Sequence, residues 1–192
     1  MPLHTAIHRS LEVAWVGFLV VWLAAAFFAS RAIRRQSWWS RALTLAVGVV
    51  PYYLLFTDKL RYGALAWRFV PGEPWVLVAG VALTYAGIAL AIWARIILGK
   101  NWSATVTIKE GHRLVQTGPY STVRHPIYSG LLLAVMGTAL VVGEVRGLVA
   151  AAIAFTAWLA KSRTEEGFLM EQFGPEYEEY RRHTRALVPF IL

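Results

Sequence analysis

The run from Trp75 to Leu98, WVLVAGVALTYAGIALAIWARIIL, decides the architecture. Its only charge is Arg95, near the end. As a helix the run would rise about 36 Å, enough to cross a hydrocarbon core of roughly 30 Å. Arg95 falls where a long side chain snorkels to the headgroups, a structural role unless it faces a polar cavity.

Two apolar segments precede this run. Leu11 to Ser30 has only Glu12 charged, at its entrance, and reads as a first transmembrane helix. A cleaved signal peptide competes with that reading because Ala24-Ala25-Ala26 offers small residues, but only Arg9 precedes the run and it is long for an h-region. Ala42 to Thr57 is interrupted by Pro51, which a membrane helix tolerates as a kink. Two shorter segments follow, Ile127 to Val142 and Gly147 to Ala160, and form a tight helical hairpin. Its turn is Gly143-Glu144-Val145-Arg146-Gly147, with both glycines free to take left-handed geometry. After Lys161 the composition changes. Six of the eleven acidic residues lie between Glu165 and Glu179, mixed with Phe168, Leu169, Met170 and Phe173, as in an amphipathic helix. Gly174-Pro175 ends that helix and begins a shorter one, on which Tyr177 and Tyr180 share a face. The expected fold is all-α: one integral-membrane domain over 1–192, with about five transmembrane helices, including the C-terminal hairpin, and amphipathic C-terminal helices. Within it, 11–98 holds the N-terminal helices and 99–192 the loop, hairpin and tail.

The composition agrees, with 57% hydrophobic and 16% charged residues and a mean hydropathy of +0.50. The net charge of +8 does not point to nucleic acid, because the basic residues sit between apolar stretches as topology signals. With Arg95 left out, thirteen Lys and Arg lie on one side of the five segments and five on the other. This places the loop 99–126 and the tail in the cytoplasm and the N-terminus outside. Trp38, Trp39, Trp67, Trp75 and Trp102 fall near the segment ends, as an interfacial belt would have them. The chain has no cysteine, which excludes disulfide frameworks, thiolate nucleophiles, Cys-ligated zinc and iron–sulfur clusters. No metal site is expected.

Polar and special residues are densest from Asn101 to Gly130, in a segment longer than a plain connection requires. Taken singly they have bland readings: Arg124 as a headgroup anchor, His125 as a turn residue before Pro126. Glu165 and Glu166 follow the hairpin as it returns to the same face, so cationic and imidazole donors should meet carboxylates at the lipid boundary.

The run GHRLVQTGPYSTVRHPIYSG, Gly111 to Gly130, followed by EEGFLMEQFGPEYEEYRR, Glu165 to Arg182, resembles the isoprenylcysteine carboxyl methyltransferase family. That family lies within a wider group of membrane methyltransferases that includes phospholipid N-methyltransferases. GPY, RHPxY, EE and FGxxYxxY stand in the family's order with a hairpin between them, over roughly the C-terminal half. The resemblance implies a cytoplasmic pocket for S-adenosyl-L-methionine. His112, Arg113, Leu114 and Val115 would lie along the cofactor beside Tyr120, with His125, Pro126, Ile127 and Tyr128 as a second stretch. Glu165 would be the holding carboxylate, with Glu166 not separable from it. The family's arginine near the acceptor falls at Lys161, with Arg163 two residues on. Methyl transfer from a sulfonium needs alignment and exclusion of water, and a carboxylate acceptor is ionised already. Such an acceptor needs a cation, for which Lys161, Arg163 and Arg124 are the candidates. An amine acceptor would instead favour a base such as His125 or a glutamate with a raised pKa. The expected partners are a lipophilic or lipidated acceptor and membrane lipids. A membrane sterol-type reductase and a non-catalytic membrane scaffold are the alternatives.

Overall fold

A computed structural model of the protein describes residues 3–27, 48–99 and 114–188. These residues form α1 (Leu3–Phe27), the helical residues 48–56 (α2), α3 (Pro74–Leu98), α4 (Pro126–Val142), α5 (Val145–Phe173) and α6 (Pro175–His183). Residues 28–30 of the first apolar run, 42–47 of the second, Trp38, Trp39 and Trp102 lie outside the described residues.

Among the described residues three helices are long and apolar enough to cross a membrane, at Thr5–Ala24, Pro74–Leu98 and Val145–Phe173, and α4 is a shorter apolar helix of 17 residues. The expectation of a short fifth segment ending at Ala160 is corrected. The helix continues unbroken for 29 residues, so Glu165, Glu166 and Glu171 lie on its C-terminal part and not on a separate helix, while Glu176, Glu178 and Glu179 lie on α6. At 1.5 Å per residue about twenty residues cross the core, which brings α5 out of the apolar zone near Glu165.

The α3–α4 pair is the rigid centre of the bundle. Gly80, Thr84, Gly87 and Ala91 of α3 face Val141, Gly137, Ala134 and Gly130 of α4 in antiparallel register, with backbones close enough that a Cβ on Gly87 would lie 2.4 Å from Ala134 N and Gly130 O. Thr84 Oγ1 donates to Gly80 O at 2.8 Å and lies 3.2 Å from Thr138 Oγ1, which accepts from Trp15 Nε1 of α1 at 3.0 Å. Hydroxyls buried between apolar helices are thus satisfied across the seam. Leu54 and Leu55 of α2 join Val135, Ala139, Val142, Ala150 and Ala154 in the core, while Val13, Val16 and Val20 of α1 and Val78 and Ile96 of α3 remain exposed. So large an apolar outer surface suits lipid and not water.

The turn of the hairpin is tighter than expected. Gly143 is left-handed at φ 67°, but Gly147 lies within α5, where its lack of a side chain serves a close approach to Ala139. Arg146, 4% exposed, is buried against this turn. Its Nε donates to Glu144 Oε2 at 2.8 Å, and its Nη1 donates to Leu54 O and Thr57 O. Glu144 Oε1 also receives Arg61 Nε at 2.7 Å. Backbone bonds from Phe69 N to Gly143 O and from Val145 N to Trp67 O tie the preceding loop to the same turn. Both charges are therefore paired where burial alone would be costly. Trp67 and Trp75, 69% and 68% exposed, stand at this end as belt residues would. At the other end of α3, Arg95 Nη1 donates to Gly99 O at 3.0 Å, capping its own helix in keeping with a structural role.

Candidate functional site

The site lies at the end of the bundle where α3 stops, α4 begins and α5 emerges. Gly118 at φ 60° admits a 3-10 turn, Gly118–Ser121, which buries Pro119 and Tyr120. Tyr120 packs with Ala94 and Ile127, and Val115 and Tyr128 line the same cluster. Pro126 opens α4 at its first position, so His125 stays outside the helix as its N-cap.

The C-terminal residues close over this turn. Gly174 at φ 51° and Pro175 end α5 and start α6, as their sequence order suggests. Tyr177 and Tyr180 do share a buried face, and Tyr180 Oη donates to Tyr120 O at 2.6 Å. Beyond α6 the chain lies alongside residues 122–125. Arg124 N donates to Arg185 O at 2.8 Å and His125 N to Ala186 O at 3.0 Å, while Ser129 Oγ bonds Leu187 O. The sequence carries no signal for this strap. The pairing is a single parallel bridge with no strand periodicity to announce it, and the YxxY spacing was the sole signal that α6 packs inward.

Glu165 and Glu166 meet the RHPxY residues within this frame. Tyr128 Oη donates to Glu165 Oε1 at 2.6 Å, and the rings of His125 and Tyr128 stack at 5.6 Å with 12° between their planes. His125 Nδ1 is 3.4 Å from Glu165 Oε2, and its Nε2 is 3.3 Å from Glu166 Oε1 without the alignment of a hydrogen bond. Arg124 Nε donates to Glu166 Oε1 at 2.8 Å, and its Nη1 bonds Thr184 O. Glu166 Oε2 also lies 3.7 Å from Arg181 Nε. The adjacent glutamates therefore differ: Glu166 tethers the strap through Arg124, whereas Glu165 turns to Tyr128 and His125 and keeps 23% of its side chain exposed. One turn before Glu165, Lys161 Nζ sits 5.7 Å over the Tyr128 ring.

The sequence-derived residues Tyr120, His125, Ile127, Tyr128, Lys161 and Glu165 come together here, with Pro126 and Val115 supporting them. Leu114 is half-buried at the margin. Arg124 is at the site, with its guanidinium committed to Glu166 and Thr184. Arg163 is exposed and lies about 200° around α5 from Lys161, so it is not brought to the cluster. His112 and Arg113 lie outside the described residues.

Burial by itself would lower the pKa of His125, but the carboxylates of Glu165 and Glu166, close on either side of the ring, outweigh it and leave the pKa raised. The imidazolium form is therefore favoured in the fold. The stability that it contributes is complete below the free value of 6.5 and drains away as pH climbs through the raised folded value. The thermal midpoint of the protein should fall as pH rises above that free value, and His125→Gln should flatten the slope. An unchanged slope in the variant would show that other groups set it.

Residues 75–176 match the phospholipid methyltransferase family. The chain is 30% identical over 174 residues to a probable protein-S-isoprenylcysteine O-methyltransferase of Oryza sativa subsp. indica, covering 88% of this chain and 87% of the relative. It is 34% identical over 133 residues to the cobalt-zinc-cadmium resistance protein CzcN of Cupriavidus metallidurans, covering 68% of this chain and 57% of that one. The fold resembles the solved structure of a eukaryotic intramembrane Ras methyltransferase, isoprenylcysteine carboxyl methyltransferase, with a TM-score of 0.53 and 22% identity, over 83% of this chain and 55% of the other.

Proposed function

Because the chain belongs to the phospholipid methyltransferase family, alongside the protein-S-isoprenylcysteine O-methyltransferases, we propose that it transfers a methyl group from S-adenosyl-L-methionine to the carboxylate of a lipophilic, isoprenylcysteine-type acceptor. The reading includes the cytoplasmic site and tail and the external N-terminus that the distribution of Lys and Arg predicts. The observation that carries it is the convergence of Glu165, Tyr128 and His125 at the point where α5 leaves the apolar zone.

The described residues fit such a cofactor. A partly exposed carboxylate suits its ammonium or ribose hydroxyls, and the ring cluster of Tyr120, His125 and Tyr128 suits an aromatic base. When bound, the cofactor supplies an electrophilic methyl on a sulfonium. Glu165 and the RHPxY turn hold and orient it, and Tyr177 and Tyr180 close the back of the site against water. Lys161 is the best placed of the three candidate cations to steer an acceptor carboxylate, since Arg124 is tethered and Arg163 faces away. An amine acceptor would require a base, and among the described residues His125, held between two carboxylates with a raised pKa, is poorly suited to that role. Family membership favours this methyltransferase reading over the reductase and scaffold readings.

The test is calorimetric titration of detergent-purified protein with S-adenosyl-L-methionine, followed by labelled-methyl transfer into farnesylated cysteine and, in parallel, phosphatidylethanolamine. Saturable binding with transfer to the thioether carboxylate supports the reading. Transfer confined to the amine would move the acceptor assignment, and binding of neither S-adenosyl-L-methionine nor its demethylated product would refute the whole. Lys161→Met should raise the acceptor KM at least tenfold, whereas Arg163→Gln should leave it unchanged.

A further inference from the structure

Beside the Arg124 tether is an open cavity of about 370 Å³, lined by Arg124, Glu178, Arg181, Arg182, Thr184 and Arg185, with Ala186. None of Tyr120, His125, Tyr128 or Glu165 lines it, and it shares only Arg124 with the site described above. Four arginines and one glutamate line it, with the Arg124 guanidinium committed to Glu166 at 2.8 Å and to Thr184 O. Arg182 is shared with Glu178 and Glu179 at 3.4 and 3.3 Å, in pairs that are well over half exposed and therefore weak. Arg181 reaches Glu166 only at 3.7 Å, and Arg185 makes no ion pair among the described residues. With Arg124 paired, Arg185 unpaired among the described residues and Arg181 and Arg182 only weakly held, the cavity retains a net positive charge on planar, fork-shaped donors, a donor set suited to phosphate oxygens. Its depth is informative as well. Arg124 lies two residues before Pro126, the first residue of the apolar helix α4, so the cavity opens where that helix enters the membrane, at the level of lipid phosphates.

We propose that this arginine cavity binds a phosphate anion presented at the membrane surface, the headgroup phosphate of an anionic lipid, whose chemistry is shared by free pyrophosphate. The bound phosphate ties α6 and the strap at 184–186 to the start of α4 and so holds the C-terminal closure in place. The inference does not rest on the proposed activity.

Thermal unfolding of the full chain in phosphatidylcholine nanodiscs, with and without phosphatidylglycerol, tests the lipid source. Pyrophosphate titration of the detergent-solubilised protein tests the soluble one. A midpoint raised by phosphatidylglycerol alone assigns the lipid, and saturable pyrophosphate binding assigns a soluble phosphate. Either effect should weaken roughly tenfold or more in Arg182→Gln/Arg185→Gln, which removes two exposed cations, and should strengthen in Glu178→Gln, which removes the acid that lines the cavity. The proposal is overturned if neither ligand has an effect, or if both variants respond as the wild type does.

Discussion

Glu165→Gln should lower affinity for S-adenosyl-L-methionine, and methyl transfer with it, by roughly a hundredfold, while the protein remains folded. The substitution preserves shape and an acceptor for the Tyr128 hydroxyl, which donates to Oε1 at 2.6 Å, and removes the charge that faces His125 Nδ1 at 3.4 Å. Loss of a partly buried, charge-assisted partner is worth about 3 kcal/mol, and a hundredfold change in a binding constant is about 2.7 kcal/mol. Glu166 remains beside His125 and Arg124, so the strap stays tethered. The measurements are calorimetric titration and initial rates, with circular dichroism and size exclusion to confirm folding. A folded variant with wild-type affinity would remove Glu165 from the cofactor site. Glu166→Gln should act differently, since its partners are Arg124 and Arg181. The strap should loosen and the thermal midpoint should fall.

Gly87→Val should be the most damaging single change in the membrane-embedded part. The new Cβ would meet Ala134 N and Gly130 O at 2.4 Å, and Ala134 Cα at 2.9 Å. These are backbone atoms of α4, which have no rotamer to yield, so the two helices must separate along the whole small-residue face. Overpacking of this kind costs about 3 kcal/mol or more, and it would pull the Thr84–Thr138–Trp15 bonds apart. Little folded protein should be recovered from membranes. Gly167→Ala is the internal control. Nothing lies within 4 Å of the added carbon, and exchanging glycine for alanine in an exposed helix gains about 1 kcal/mol at most. If Gly87→Val unfolds at the same temperature as Gly167→Ala, the close seam between α3 and α4 is not the source of the bundle's stability.

Much of this organisation was legible in the chain. The run 75–98 became α3 because its length and apolarity admit only a helix in a bilayer, where every backbone group must be satisfied within the segment. Gly174-Pro175 marked the break between α5 and α6 because glycine takes positive φ and proline starts a helix without needing its missing N–H. The end of the fifth apolar run misled, because hydropathy falls at Lys161 while the helix does not end. The charges only mark where α5 leaves lipid, and helical hydrogen bonding continues through them for a further twelve residues, to Phe173.

By itself the sequence determined the order of the helices, their membrane character and the residue types that gather at one end, though not where α5 ends, since these follow from hydropathy, backbone propensity and order along the chain. The tertiary structure decided everything that depends on which surfaces meet. The spacings Gly80 to Gly87 and Gly130 to Gly137 are equally suited to packing within a chain or between chains, and only the antiparallel register shows that they close on each other. The equivalent-looking pair Glu165 and Glu166 acquired separate partners because adjacent positions on a helix point about 100° apart, one toward Tyr128 and the other toward Arg124. The same angular rule left Lys161 at the site and Arg163 outside it.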